Sequence, residues 1–155
     1  MATLTAELLR LRGPADIRLL RSVLSNGCRP NVVVRCETGE LASVTRSVKR
    51  WCATPRHICR PGDALDLPPS GTVTTLVIPD VTGLDLEDQI ELCDWISCNR
   101  QTQVVCITAR AMKPLVDRGL FLEGLYHRLN VIQLDVAPAA RPWYPWAWTF
   151  EGMSR

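Results

Sequence analysis

Apolar positions along the chain fall into short β-branched runs separated by stretches of helical period. Val32 to Val34, Thr72 to Ile78, Val104 to Thr108 and Val131 to Val136 are the runs. Segments rich in valine and isoleucine and bounded by turn residues predict strands buried on both faces. His57 to Arg60 has room for one further short strand. Between the runs the period changes. Leu41, Val44, Val48 and Trp51 share one face of a predicted helix over Glu40 to Trp51. Ile90, Cys93 and Ile96 are spaced to face a core from a helix over Leu86 to Cys98, with Asp85 placed to cap it. Ala15 to Leu24 carries Ile17, Leu20 and Leu24 at the same period and is stopped by Ser25-Asn26-Gly27. Ala6 to Leu11 reads as one or two helical turns ended by Gly13-Pro14, and Lys113 to Arg118 and Phe121 to Leu129 as short helices. Pro55, Pro61-Gly62 and Leu67 to Gly71 mark turns and loops.

Strands alternating with helices imply crossover connections, hence a mostly parallel five-stranded sheet covered by helices on both faces. The expected organisation is one three-layer α/β domain over residues 1–141 followed by a separate tail over 142–155. The tail breaks the pattern: Trp143, Tyr144, Trp146, Trp148 and Phe150 crowd eight residues that also hold Pro145, and Pro142 precedes them. Two prolines rule out a regular helix there. The tail reads as an extended arm over the domain's own apolar surface or as an aromatic anchor for a partner, since Trp and Tyr dominate interface hot spots.

Composition narrows the chemistry. At 155 residues, with 46% apolar and 22% charged residues, the chain can bury a core as a single domain, and a net charge of +2 selects no class of partner. No apolar run reaches the length of a membrane span, and the first residues lack a signal-peptide pattern, so the cytoplasm is the expected compartment. Seven cysteines without a Cys-x-x-Cys spacing read as buried thiols. Cys52, His57 and Cys59 lack a fourth ligand at zinc spacing, so no metal is expected. Leu41 to Gly62 holds Arg46, Lys49, Arg50, Arg56 and Arg60 and no acid. Without a base-reading motif the expectation is a solvated helix face rather than a nucleic-acid surface. His57 and His127 stand far apart, with no nucleophile beside either, which gives a hydrolase triad no support.

The most informative stretch is Asn31 to Trp51. A strand, a tight turn at Glu37-Thr38-Gly39 and a returning helix form the frame in which α/β proteins bind phosphate at a helix N-terminus. A phosphate loop also needs Gly-x-x-x-x-Gly-Lys-Ser/Thr, and here Gly39 stands alone and the next lysine is Lys49, deep in the helix. Asp80, at the end of a predicted strand, reads first as a turn or cap residue, since a single carboxylate without a lysine, histidine or metal partner is more often that. A lone acid facing a cleft is the alternative.

Several segments together resemble the AAA+ ATPase domain of sigma-54-dependent bacterial transcription activators (enhancer-binding proteins). Gly119-Leu-Phe-Leu-Glu-Gly-Leu-Tyr-His-Arg-Leu-Asn-Val is similar to that family's Gly-x-Phe-Arg-x-Asp-Leu-Tyr-Tyr-Arg-Leu-Asn-Val signature. Thr75-Leu-Val-Ile-Pro-Asp-Val-Thr-Gly-Leu resembles its Walker B segment, Gln89 lies where the family has a glutamine-led helix, and Val104 to Arg110 matches its sensor strand. Cys36-Glu-Thr-Gly-Glu-Leu looks like the phosphate loop with Thr-Gly-Lys deleted. The likeness runs from about Ala15 to Arg141 and implies a P-loop NTPase fold.

Residue by residue, the same likeness argues against the family's activity. The phosphate-binding lysine is missing, the Walker B Asp is Pro79, the catalytic Glu is Asp80, the sensor Asn is Ala109, and the first signature arginine is Leu122, leaving only Arg128. Phosphoryl transfer is mostly positioning and charge neutralisation, so these changes together predict its loss. The sigma-54-contacting insertion between Trp51 and Thr72 is absent, and the expectation beyond Arg141 is the aromatic tail in place of a helical lid and DNA reader. The reading is a non-enzymatic, AAA+-like interaction or regulatory module without cofactor. Its expected partner is a protein, a sigma-54 activator or a second copy, and neither nucleic acid nor membrane. Glu37, Thr38, Gly39 and Asp80 are a nucleotide-site remnant, and Arg128, Trp143, Trp146 and Trp148 are interface candidates. The alternative is a nucleotide-binding subunit of a hetero-oligomer with an intact AAA+ ATPase.

Overall fold

The computed structural model describes residues 8–9, 21–24 and 29–136. In chain order its elements are β1 (Leu8–Leu9), α1 (described over 21–24), β2 (Val32–Arg35), α2 (Leu41–Trp51), β3 (Arg56–Ile58), β4 (Thr75–Ile78), α3 (Leu86–Cys98), β5 (Gln103–Thr108), α4 (Lys113–Asp117), α5 (Glu123–Leu129) and β6 (Ile132–Asp135). The strands lie in the order β1-β6-β2-β5-β4-β3, and every pairing is parallel.

Alternation along the strands builds the three layers. Val32, Val34, Val77, Val105 and Ile107 point to one face, where they pack with Leu24 and with Val44, Val48 and Cys52 of the α2 segment. Val33, Leu76, Ile78, Val104 and Cys106 point to the other, where they meet Leu92 and Ile96 of α3 and Leu125 and Leu129 of α5. A strand covered on both sides buries both of its alternating sets of positions, which is why β4 and the central β5 are buried throughout, the polar Thr75, Gln103 and Thr108 included. The expected face of α2 forms as read: Val44 and Val48 are buried, with Leu41 and Trp51 partly buried beside them.

All five expected strands form, and the structure extends them at one edge. Leu8–Leu9, inside the segment read as helical, instead pairs with Gln133 and Leu134 of β6. So short a helix bears the full cost of nucleation, whereas the open edge of β6 offers backbone partners at once. The run from Thr72 is also shorter than read. The Thr72 hydroxyl and N–H both turn back to the Pro69 carbonyl, so the strand begins at Thr75. In α3 the buried positions are Gln89, Leu92 and Ile96, while Ile90 is 49% exposed and Cys93 only partly buried. The helix is rotated from the apolar reading because a polar side chain, Gln89, takes a core position. Asp85 caps this helix as expected, accepting from the Asp88 N–H at 2.9 Å. The tail with Trp143, Trp146 and Trp148 lies outside the described residues, as does any lid beyond 136.

Candidate functional site

The carboxyl ends of β2, β5 and β4 stand side by side, where ligands gather in open parallel sheets. The Cys36 N–H donates to the Thr108 carbonyl at 2.9 Å, joining the β2 exit to the end of β5. On the other side of β5, the Thr108 hydroxyl lies 3.4 Å from that of Thr82, which donates to Asp80 Oδ1 at 3.2 Å. A hydrogen-bonded line along the carboxyl edge therefore runs from Cys36 through Thr108 and Thr82 to Asp80.

Its β2–α2 side is built differently from a phosphate cradle. After Cys36 and Glu37 the chain enters a single 3-10 turn, Thr38–Glu40, and passes directly into α2. The Glu40 N–H is taken by the Glu37 carbonyl at 2.9 Å. Gly39 has no left-handed backbone, and a Cβ there would meet nothing within 4 Å, so neither backbone strain nor close approach calls for a glycine. Two carboxylates, Glu37 and Glu40, flank the positive end of α2 where a phosphate would sit. Glu37, Thr38 and Gly39 are all exposed. Burial, reinforced by Glu40, pushes the Cys36 thiol up to about 11, which removes it as a nucleophile near neutral pH.

Asp80 sits apart from that turn. It has φ 53° and ψ 54°, a left-handed conformation that an aspartate enters more readily than most residues. It follows the buried Pro79. It lines a cavity of about 490 Å³ between the 59–65 loop and the start of α3, together with Arg60, Asp63, Asp85 and Asp88. None of Glu37, Thr38 or Gly39 lines this cavity. The structure thus places the four remnant residues along one sheet edge but does not gather them into one pocket.

Arg128 belongs to the opposite, amino edge of the sheet. It is exposed in the last turn of α5, where its guanidinium donates to the Ser97 hydroxyl of α3 and its carbonyl accepts from Asn31 Nδ2 at 2.9 Å. It shares a cavity of about 270 Å³ with Arg29 and Arg100. Single-sequence reading missed both partners because they lie in turns of unremarkable composition, 71 residues apart, and only the topology unites them. The spread of basic residues over Leu41 to Gly62 also divides: Arg46, Lys49 and Arg50 are exposed on α2, while Arg56 reaches back to the Cys52 carbonyl at 3.3 Å. Cys52 and Cys59 pack on opposite faces of the sheet, so they do not join around a shared ion with His57. His57 instead faces Asp66 at 3.3 Å. No described helix is long and apolar enough to cross a membrane.

Comparison with known proteins agrees with this fold. No curated protein sequence matches the chain. Among solved structures, NtrX from Brucella abortus in complex with ATP superposes with a TM-score of 0.59 at 16% identity, covering 81% of this chain and 36% of that one. NtrX from the same organism in complex with ADP gives 0.60 at 14% identity, covering 79% and 36%. At such identities the likeness concerns the fold, an AAA+-like α/β core, and the chain spans little more than a third of NtrX. The family profile described as the Sigma-54 interaction domain matches residues 53–139, a span that takes in β3 to β6 and begins after the β2–α2 turn. By that match over more than half its length, the chain belongs to the Sigma-54 interaction domain family.

Proposed function

We propose that this chain is a non-catalytic, AAA+-like interaction or regulatory module, related to the sigma-54-dependent activators, in which ATP hydrolysis has been lost. The observation that carries this reading is the β2–α2 turn: a closed 3-10 turn flanked by Glu37 and Glu40, with no lysine before Lys49. An incoming triphosphate meets two like charges and no wrapped array of N–H donors. On the other side of the cleft, Pro79 offers no metal-ligating side chain and Asp80 must serve alone. With that chemistry gone, the remaining role is binding of a protein partner, for which exposed Arg128 and the aromatic residues Trp143, Trp146 and Trp148 are the candidates. The fold likeness to NtrX solved with ATP and ADP supports a second reading, a nucleotide-binding subunit beside an intact AAA+ ATPase.

Calorimetric titration with ATP and ADP separates the two. Magnesium is present, and a phosphate background occupies any general oxyanion site. The expected result is no nucleotide-specific heat up to millimolar concentration. Saturable binding under those conditions would overturn the first reading and establish the second.

A further inference from the structure

We propose that the amino-edge cavity is a binding site for a phosphate monoester group, held by Arg29, Arg100 and Arg128. The three arginines arrive from separate elements: the segment leading into β2, the turn between α3 and β5, and the last turn of α5. No carboxylate lines the cavity, and none of the three arginines forms an ion pair among the described residues. Three arginines thus line one cavity with no carboxylate paired to any of them among the described residues.

The rest of the polar lining is already engaged. Asn31 accepts from the Val104 N–H and donates to the Arg128 carbonyl. Asn99 holds Gly71, Ser70 and Trp95, and the Thr102 hydroxyl donates to Val73. These groups form a fixed frame, so the donors left for a ligand are those of the arginines. Ser97 holds Arg128 in place, and Arg29 is only partly exposed, which lowers the entropy lost on binding. The carbonyl ends of α3 and α5 also lie at this edge; they favour the arginines there but oppose an anion, so the attraction for a ligand has to come from the three guanidinium groups themselves.

The chemistry selects the ligand. A phosphate dianion presents three terminal oxygens and close to two charges, matching several guanidinium forks, whereas a carboxylate presents one charge and two oxygens. At about 270 Å³ the cavity is smaller than most sites enclosing a whole small molecule, and no aromatic ring lines it to stack a base. It therefore takes the phosphate head and leaves the carrier outside. This site lies at the opposite end of the strands from the cleft of Glu37 and Asp80, so it stands independently of how that cleft is read.

The test is calorimetric titration of the full chain at constant ionic strength with inorganic phosphate, O-phosphoserine, a phosphoserine peptide and, as a control, acetate. The first three should bind and acetate should not. O-phosphoserine should bind more weakly at pH 5 than at pH 7.5, because its second ionisation lies near pH 6. The double variant Arg29→Gln/Arg100→Gln should lose about tenfold or more in affinity with an unchanged melting temperature, since neither side chain is in the core. A phosphopeptide much tighter than O-phosphoserine identifies a protein-borne ligand, and equal affinities a small-molecule one. Acetate binding as well as phosphate, phosphate failing to bind, or affinity surviving in the double variant would each overturn the proposal.

Discussion

Gln89 offers the sharpest test of how the α3 face of the domain is held. It lies one turn into α3 and is 1% exposed. Its Nε2 donates to the Leu84 carbonyl at 2.9 Å and the Leu120 carbonyl at 3.2 Å, and its Oε1 accepts from the Leu122 N–H at 2.9 Å. One amide thereby ties the start of α3 to the loop between α4 and α5. Gln89→Met keeps the length of the side chain and removes all three bonds. Each such bond is worth about 1 kcal/mol net, and a polar group left buried without a partner costs about 1–3 kcal/mol. Leu84 and Leu122 are only partly buried and Leu120 is exposed, so water can reach some of the abandoned groups and the lower end applies, roughly 3 kcal/mol in all. In a domain of this size that lowers the melting temperature by roughly 6–12 °C. Differential scanning calorimetry reads the shift directly, with exposed Gln101→Met as a control expected within about 0.5 kcal/mol of the parent. A Gln89→Met protein melting within about 2 °C of the parent would show that the amide is dispensable and refute this account of the α3–α5 junction.

Two further expectations concern the backbone and the thiols. At Asp80, φ 53° favours residues that tolerate the left-handed region, so Asp80→Gly should stay within about 1 kcal/mol of the parent while Asp80→Val loses about 2 kcal/mol in urea denaturation. Equal stabilities of the two variants would contradict the strand exit described here. Burial pushes the Cys52 thiol up to about 12 and that of Cys59 up to about 11, and raises Cys106 as well. Because the folded values exceed the ordinary 9.0, the stability they contribute is fully present below pH 9 and is lost as pH rises through 11 to 12. At pH 8 iodoacetamide should modify exposed Cys98 well before these three. Alkylation of Cys106 at the rate of Cys98 would show that the sheet interior is open.

The framework was legible where one periodicity ruled. Val32 to Val34, Leu76 to Ile78 and Val104 to Ile107 are apolar at every position because both faces of the sheet are covered, and no helix competes for such runs. Legibility failed where a non-local partner decided the outcome. Leu8–Leu9 became a strand because β6 lay alongside, and Gln89 entered the core because Leu84, Leu120 and Leu122 supplied its hydrogen bonds. The candidate site divides in the same way. The turn at Glu37 to Gly39 is local, and its missing lysine is read directly from the chain. The arginine cavity is a product of topology, since only the crossover from α5 to β6 and the β2–β5 pairing bring Arg29, Arg100 and Arg128 to one edge.

That division also explains how family membership coexists with so altered a cleft. The residues that hold the sheet together, such as Val33, Leu76, Cys106, Leu125 and Leu129, are buried along strands and helices. Glu37, Thr38 and Gly39 are exposed and contribute no side chain to either core layer. Change at those positions therefore leaves the packing energy nearly untouched, because apolar area removed from water scarcely varies. The family match begins at residue 53, beyond the turn, and runs through β4, α3, β5 and α5, where substitution is constrained by packing on two sides. Selection on the fold can thus preserve the Sigma-54 interaction domain core whether or not the cleft still turns over a nucleotide. The chemistry of the cleft must accordingly be judged from Glu37, Gly39, Pro79 and Asp80 themselves, and not from the family the core declares.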